Sequence, residues 1–549
     1  LDQKLSKGRN VIAVAAKNDG GVAAFVLKLK VETASGEIVE VTSSPEWSAS
    51  LSETENWQTA GFPAGQSVTL SAKGKLGIPP WQIPTGNPPA GSGSGPLAAD
   101  QITVPDGFEV ELIYTVPKET EGSWVCLTTD PWGHLLASDQ GGQGLYRIKV
   151  DGTDVEVKKV PANLSGAQGM TWAFNALYFN RSGGSLYRAI DTDNDQLVDT
   201  VEELPSARGG GEHGNHAVEP TEDGKQLYVV AGNHTDLPPL AGSRVPTWDE
   251  DLLLPRQWDA RGHARGRLAP GGWVSRFDPE QKTYELYCIG FRNEYDIALN
   301  EAGDIFTYDA DMEWDMGMPW YRPTRICQVV SGADYGWRSG TGKWPTYYED
   351  SLPPVVEIGP GSPTGVVAGT NAAFPAKYRR AIFALDWTFG TIYAIHLKPE
   401  GAGYTGEREW FCFGAPLPVT DATIGKDGAM YFAVGGRGTQ SALYRVRYTG
   451  KESTDDQYQE SPAVVAARAT RKKLEAFHGK QNAAAVTTAW PYLSSSDRFL
   501  RHAARIALES QPVESWSAKL RSEQDPQAII TGCVALARIG ESGRCQPGL

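Results

Sequence analysis

A mainly β architecture is predicted: a six-bladed β-propeller, with a partial jelly-roll β-sandwich before it and α-helical HEAT-like repeats after it. Three observations lead there. One unit, a turn followed by a short strand ending in a polar residue, recurs six times between Gln101 and Gly450. The 549 residues include 61 Gly and 36 Pro, and 10% are aromatic, a composition of short strands and tight turns rather than long helices. A Pro/Gly/Ser stretch at 77–100, GIPPWQIPTGNPPAGSGSGPLAAD, reads as a linker and sets a domain boundary.

Residues 1–76 alternate apolar and polar positions, as in Ala24-Phe25-Val26-Leu27-Lys28-Leu29-Lys30-Val31 and Glu37-Ile38-Val39-Glu40-Val41, the pattern of an antiparallel sandwich. GRNVIAVAAKN and SPEWSAS resemble the C-terminal half of a galactose-binding-like jelly roll. Trp47 and Trp57 there are candidates for stacking on sugar rings or for the sandwich core.

The six repeats over 101–450 are Asp130-Pro131-Trp132-Gly133 into HLLASD, Phe174-Asn175 into ALYFN, Asp223-Gly224 into KQLYVVAGN, Ala302-Gly303 into DIFTYD, Tyr378-Arg379-Arg380 into AIFALD, and Asp427-Gly428 into AMYFAVGG. A second strand motif follows most copies, for example Gly144-Leu145-Tyr146-Arg147-Ile148 and Ala442-Leu443-Tyr444-Arg445-Val446. Repetition at this scale, with turn chemistry at each start, spells a propeller. Residues 451–549 change to helical spacing, with Ser461-Pro462 at a helix start and Phe499–Glu509 as an amphipathic run. Helix pairs of this kind read as HEAT-like repeats, a scaffold or docking surface.

A net charge of −15 and a pI near 5.1 argue against nucleic acid as a partner. No run of about 18 apolar residues is present, so no transmembrane segment is expected. The first residue is Leu1, not Met, and the last residues directly follow an expected helix, so a mature chain or a piece of a longer one is expected. Six cysteines contain no CxxC or CxxCH; scattered singly, they fit disulfides in an oxidising compartment or buried thiols, with Cys126–Cys412 and Cys533–Cys545 as the pairings considered.

Chemistry concentrates between Gly209 and Asn233. Three consecutive glycines precede His213 and His216, and His234 follows; the whole chain has only eight histidines. In a propeller, strand ends deliver polar residues to a central funnel. Those ends are read as Asp139-Gln140, Asn180-Arg181, Asn233-His234, Asp309, Asp386-Trp387 and Arg437, on the innermost strand of each blade.

Ahead of the fourth repeat stands Gly290-Phe291-Arg292-Asn293, and further on Gly332-Ala333-Asp334-Tyr335-Gly336-Trp337. With His213 ten residues before Asp223, these resemble the GxRN motif, the G-x-N-Y-G-W motif and the single catalytic histidine of the glucose/sorbosone dehydrogenase-like quinoproteins. The order of domains is similar to that of large secreted planctomycete-type dehydrogenase-like proteins. The resemblance implies a sugar or alcohol dehydrogenase that uses pyrroloquinoline quinone (PQQ) and Ca²⁺. It makes His213 the base, Arg292 the group polarising the quinone oxygen, and Asn293 a cofactor ligand. Arg437 would fork a PQQ carboxylate, with Gln140 and Trp387 also at the cofactor. It further implies a cytochrome c domain or protein as electron acceptor, and a periplasmic, extracellular or cell-surface location. Two positions depart from the family pattern: Asp309-Ala-Asp311-Met-Glu313-Trp-Asp315 replaces D-E-L-N, and His216 stands where a smaller or basic residue is commoner.

Two acidic loops invite metal. Asp191, Asp193, Asp195, Leu197 (through its carbonyl), Asp199 and Glu202 occupy positions 1, 3, 5, 7, 9 and 12 of a calcium-type loop, with Gln196 at the position usually held by Gly. Asp309, Asp311, Glu313 and Asp315 alternate, which in an extended segment places them on one face, and Asp309 with Asp311 is a second candidate Ca²⁺ site. His213 and His216 with His234 form an alternative, transition-metal set. The competing function is a non-catalytic propeller that binds glycans or serves surface assembly; a hydrolase or lyase using Asp309, Asp311 or His213 is the third class.

Overall fold

The computed structural model describes residues 95–539, except 153, 182–183, 249, 251–262, 317, 319, 340–341 and 456–457, together with the strands Lys28–Glu32 and Ile38–Thr42. Those two strands pair antiparallel, Lys28 opposite Thr42, and belong to a unit of their own. The rest of the expected jelly roll, including Trp47 and Trp57, lies outside the described residues, as does the linker up to residue 94.

The second unit is a six-bladed propeller with helices at its C-terminal end. Blades 1 to 5 run through residues 124–159, 167–203, 215–291, 297–359 and 363–413. Each is a four-stranded antiparallel sheet taken in chain order, and blade 3 carries an extra parallel strand, Leu240–Ser243, on its outer edge. Blade 6 takes three strands from Val419–Tyr448, and Phe108–Thr115 from the start of the propeller supplies its fourth. Pairing Phe108 with Tyr448 closes the ring, so no blade is left with an open neighbour.

The turn chemistry predicted from sequence lies inside the blades. Gly133, Gly224, Gly303 and Gly428 all have positive φ, and Phe174-Asn175 takes φ of 49° and 58°, the two left-handed positions of a type I′ hairpin turn. Each of these turns joins the innermost strand to the second. This corrects the strand assignment: the residues read as innermost-strand ends cap the second strands. The innermost strands are Trp124–Thr129, Ala167–Ala173, Asn215–Pro220, Ile297–Leu299, Pro363–Ala368 and Val419–Ile424, which adjoin one another around the axis. Antiparallel pairing nevertheless brings the end of a second strand beside the start of its innermost strand, Asp139 opposite Trp124, so the expected residues still reach one face.

Second strands read as unbroken apolar runs because neighbouring blades cover both of their faces; Leu227–Ala231, Ala381–Asp386 and Met430–Val434 are buried throughout. Between blades 5 and 6, for instance, Phe383, Phe411, Phe432 and Tyr444 share one core cluster. Cys126 and Cys412 are buried free thiols on blades 1 and 5, so their proposed disulfide is not formed; Cys545 lies outside the described residues.

The tail begins as its sequence predicts. Ser461 caps the helix Pro462–Glu475 by accepting from Val464 N, and Asp497 caps Arg498–Glu509 through Phe499 N and Leu500 N. These helices dock on the propeller: Arg468 and Arg471 both pair with Asp304, just after the blade 4 turn, and Phe499 enters the core between blades 3 and 4. No helix of the described residues is long and apolar enough to cross a membrane.

Candidate functional site

Three loops on one face lock together. Gly232 N donates to Gly214 O, His234 N to His213 O, and Asn233 N to Arg292 O. A Cβ on Gly232 would lie 2.4 Å from Asn293 Oδ1 and 2.9 Å from His213 O, so glycine is required for the loops to meet. The two motifs ahead of and inside blade 4 explain each other in the same way. Ile289 N donates to Ala333 O and Tyr335 N to Ile289 O, while Gly290, at φ +88°, lies against the Asp334 carboxylate and the Tyr335 backbone.

Asp309 is the anchor beneath. Its Oδ1 accepts from the backbone N–H of Arg292 (3.0 Å) and Asn293 (3.2 Å), and its Oδ2 meets Lys343 Nζ (2.8 Å) and Arg325 (3.2 Å). Burial would raise the Asp309 pKa, but the Lys343 and Arg325 charges outweigh it and hold it below the usual range. Two side-chain cations thus supply at Asp309 the counter-charge for which a metal was expected at Asp309 and Asp311. Asp311 turns its Oδ2 to the Tyr321 hydroxyl, and burial pushes its pKa up to about 7. Glu294 is fully buried beside them, and burial, then the Asp309 charge, pushes its pKa well up.

His213 is buried at the end of a short 3₁₀ turn, Gly211–His213. Its Nδ1 is 2.6 Å from Asn233 Oδ1, which places the proton on Nδ1 and leaves Nε2 as the lone pair. Burial and then the Arg292 charge hold its pKa well below the usual range, so it is a neutral acceptor. The His234 ring stacks on it at 4.6 Å, and the His263 ring meets it edge-on at 4.5 Å. His216 turns elsewhere: its Nε2 lies 2.7 Å from Asn293 Oδ1 and its ring packs on Tyr295, which removes it from the expected histidine set.

Glu212 joins these groups to the rim. Its carbonyl accepts from Asn293 Nδ2 (3.3 Å), and its carboxylate lies 3.2 Å from Arg437 and 3.6 Å from His263 Nδ1. Arg437, at φ 50°, donates its backbone N–H to Gln140 Oε1 (2.6 Å) and spreads its guanidinium over the Trp387 ring at 5.4 Å. The structure therefore brings His213, Arg292, Asn293, Gln140, Trp387 and Arg437 into one region. Sequence reading missed Glu212, His263 and Lys343. Glu212 was legible as the acid beside His213; His263 and Lys343 arrive from insertions with no repeat to register them.

The acidic loop of blade 2 is separate. Asp191, Asp193 and Asp195 each bring a carboxylate oxygen within 4.8 Å of the others, on a backbone turned by positive φ at Asn194 and Gln196. Two expected ligands stand apart. Asp199 accepts from the backbone N–H and hydroxyl of Thr192, and Glu202 is paired with Arg188 and Lys282. Leu197 contributes a backbone N–H to Asp195 Oδ1 (2.8 Å).

Around the axis itself, carboxylates tie blade to blade. Asp421 of blade 6 accepts from Leu127 N of blade 1 (2.7 Å), and Asp296 of blade 4 from Val366 N of blade 5 (2.7 Å). Glu219 stands near both; burial, then the Asp421 charge, raises its pKa from 4.5 to about 8. A carboxyl raised in the folded state binds protons more tightly there than when unfolded. Its stabilising effect is thus full below the unfolded value and is lost as pH climbs toward 8. Glu219→Gln is expected to match the parent at pH 5 and to exceed it by roughly 2 kcal/mol at pH 8.5, read by urea unfolding. Equal responses of the two proteins to pH would refute this.

No family model matches the chain, and no curated protein matches it. Among solved structures, a protein described as a putative glucose dehydrogenase from Thermus thermophilus is 18% identical with a TM-score of 0.45; the match covers 62% of this chain and 100% of that one. The PQQ-bound aldose sugar dehydrogenase of Streptomyces coelicolor is 15% identical at a TM-score of 0.43, over 63% and 100% of the two chains. The PQQ domain of a pyranose dehydrogenase from Coprinopsis cinerea is 11% identical at 0.46, over 63% and 97%.

Proposed function

We propose that this face of the propeller is the active site of a sugar or alcohol oxidoreductase of the quinoprotein type. The observation that carries the reading is the convergence of a neutral, tautomer-fixed His213 with Arg292, Asn293 and Arg437 on one face. The donor set suits PQQ, a planar tricarboxylate: a guanidinium fork at Arg437, the Trp387 ring beneath it, and amides at Asn293 and Gln140. Arg437 faces the exposed carboxylate of Glu212, and a surface pair of this kind costs only about 0–1 kcal/mol to release; the buried Arg292 meets the exposed carboxylate of Glu313. When bound, PQQ supplies a two-electron acceptor.

The chain's own residues supply the rest. His213 Nε2 takes the proton of the substrate hydroxyl, and Asn233 keeps the imidazole in the required tautomer. Asp309 fixes the backbone from which Arg292 and Asn293 project. A carbohydrate is the substrate class, with a cytochrome c domain or protein taking the electrons and the protein working in the periplasm or outside the cell. A structural Ca²⁺ belongs to Asp191, Asp193 and Asp195.

The test is dye-linked reduction by the purified protein after incubation with PQQ and Ca²⁺, over mono- and oligosaccharides. PQQ-dependent turnover supports the reading. Absence of turnover, with no PQQ absorbance retained, would sink it and leave a glycan-binding propeller.

A further inference from the structure

The histidine cluster has a geometry that proton acceptance by His213 does not require. One ring nitrogen from each of His213, His234 and His263 lies within 4.8 Å of one from each of the others. His263 Nε2 lies 3.2 Å from His213 Nε2 and 3.4 Å from His213 Nδ1, so holding one ion through both Nε2 atoms requires the His263 ring to turn away from Nδ1. Two imidazole nitrogens on one zinc-class ion, each about 2.0–2.1 Å from it, stand about 3.3 Å apart in tetrahedral geometry. The far side of the His213 ring is oriented as in ligand histidines, its Nδ1 against Asn233 Oδ1 at 2.6 Å, and the Glu212 carboxylate stands 3.6 Å from His263 Nδ1. The acceptor on its Nδ1 favours a lone pair on His213 Nε2, and the other two rings each bring a nitrogen within 4.8 Å.

We propose that His213, His234 and His263 bind one zinc-class divalent ion, with Asn233 orienting the His213 ring and a fourth position open to solvent or substrate. Imidazole donors without thiolate or a cage of oxygens select Zn²⁺, Co²⁺, Ni²⁺ or Cu²⁺ over Ca²⁺ or Mg²⁺. Three protein ligands with an open position is the arrangement of reactive rather than purely structural zinc sites. An ion held by His213 Nε2 occupies the lone pair that would take the substrate proton. The metal-loaded and proton-accepting states are therefore alternatives, and the ion acts as an inhibitor of the oxidoreductase described above. Only that inhibitory role rests on the proposed function; ion binding does not.

Titration of the full chain with Co²⁺, without PQQ, tests the site. The expected result is one ion per chain, with the intense visible bands of a four-coordinate cobalt centre, displaced by Zn²⁺. His263→Ala and His234→Ala, both at partly exposed positions, are expected to weaken binding at least 100-fold while their circular dichroism and melting stay those of the parent. His396→Gln, remote on blade 5, is expected to bind as the parent does. Absence of stoichiometric binding, or unchanged affinity in both histidine variants, overturns the site. If PQQ-dependent sugar oxidation is found but Zn²⁺ does not affect it, the inhibitory role fails and the proposed function stands. Binding with no sugar oxidation under any condition removes the function and leaves the metal site.

Discussion

His213→Ala is expected to lower kcat/KM for sugar oxidation by roughly 10²–10⁴-fold, the contribution of a positioned proton acceptor. The loss falls on kcat, because Arg437, Trp387, Gln140 and Asn293, which would hold cofactor and substrate, are separate side chains on other loops. Retained PQQ absorbance in the variant, alongside the lost turnover, is the expected signature. Removing a buried ring also leaves a cavity, so His213→Gln serves as the companion; it fills the volume and offers a carboxamide in place of the imidazole. Both variants should be equally impaired. A His213→Gln protein with turnover within a factor of about three of the parent would show that His213 only fills space. Asn233→Ala adds a readout that a packing role would not move. It frees the Nδ1 tautomer, so kcat is expected to fall by less than in His213→Ala while KM stays near the parental value.

The propeller was legible because its repeat unit is local: a turn with positive φ and a covered strand can be read from a short stretch of chain, and six copies reinforce one another. Which strand of the unit lies innermost was not legible. The innermost strands mix polar residues such as Gln168, Glu219 and Asp421 with apolar ones and show no regular pattern, and the strand that follows an Asp-Gly turn carries no mark of its distance from the axis. Chain order alone misplaced the unit by one strand, while antiparallel pairing preserved the face on which its polar ends emerge. At the site, Arg292 and Asn293 were legible from their motif, and Gln140, Trp387 and Arg437 as strand ends. The charge balance was not. Asp309 and Asp311 suggested a metal because four alternating acids demand positive charge, and nothing in the local sequence signals that Lys343, 34 residues beyond Asp309, comes back to supply it. His263 was hidden for the same reason: it comes from the long blade 3 insertion, whose register no repeat sets. Tertiary pairing decided Glu202, which spacing placed at a calcium loop and the fold gave to Arg188 and Lys282.

Asp309→Ala is expected to destabilise the propeller by about 3–5 kcal/mol, the usual cost of removing one partner from a buried ionic group. Asp309 is fully buried, and Lys343 and Arg325 are nearly so; without the carboxylate, two charges remain in the interior with no water to solvate them. Lys343 partly relieves this by releasing its proton, since burial has already brought its pKa down to about 8. Arginine has no such route. The backbone N–H groups of Arg292 and Asn293 lose their acceptor as well, and their loop is freed from blade 4. Stability and activity are therefore expected to fall together. Asp309→Asn separates the two effects: its carbonyl still accepts from the backbone, holding Arg292 and Asn293 in place, while its amide group opposes the cations. It should lose most of the stability and keep a larger share of the turnover than Asp309→Ala. Urea unfolding of both variants, with dye-linked turnover measured under native conditions, decides the matter. A loss under about 1 kcal/mol in Asp309→Ala, well below the cost of stranding a buried charge, would mean that the two cations find other partners or water, and that the anchor beneath the site is not Asp309.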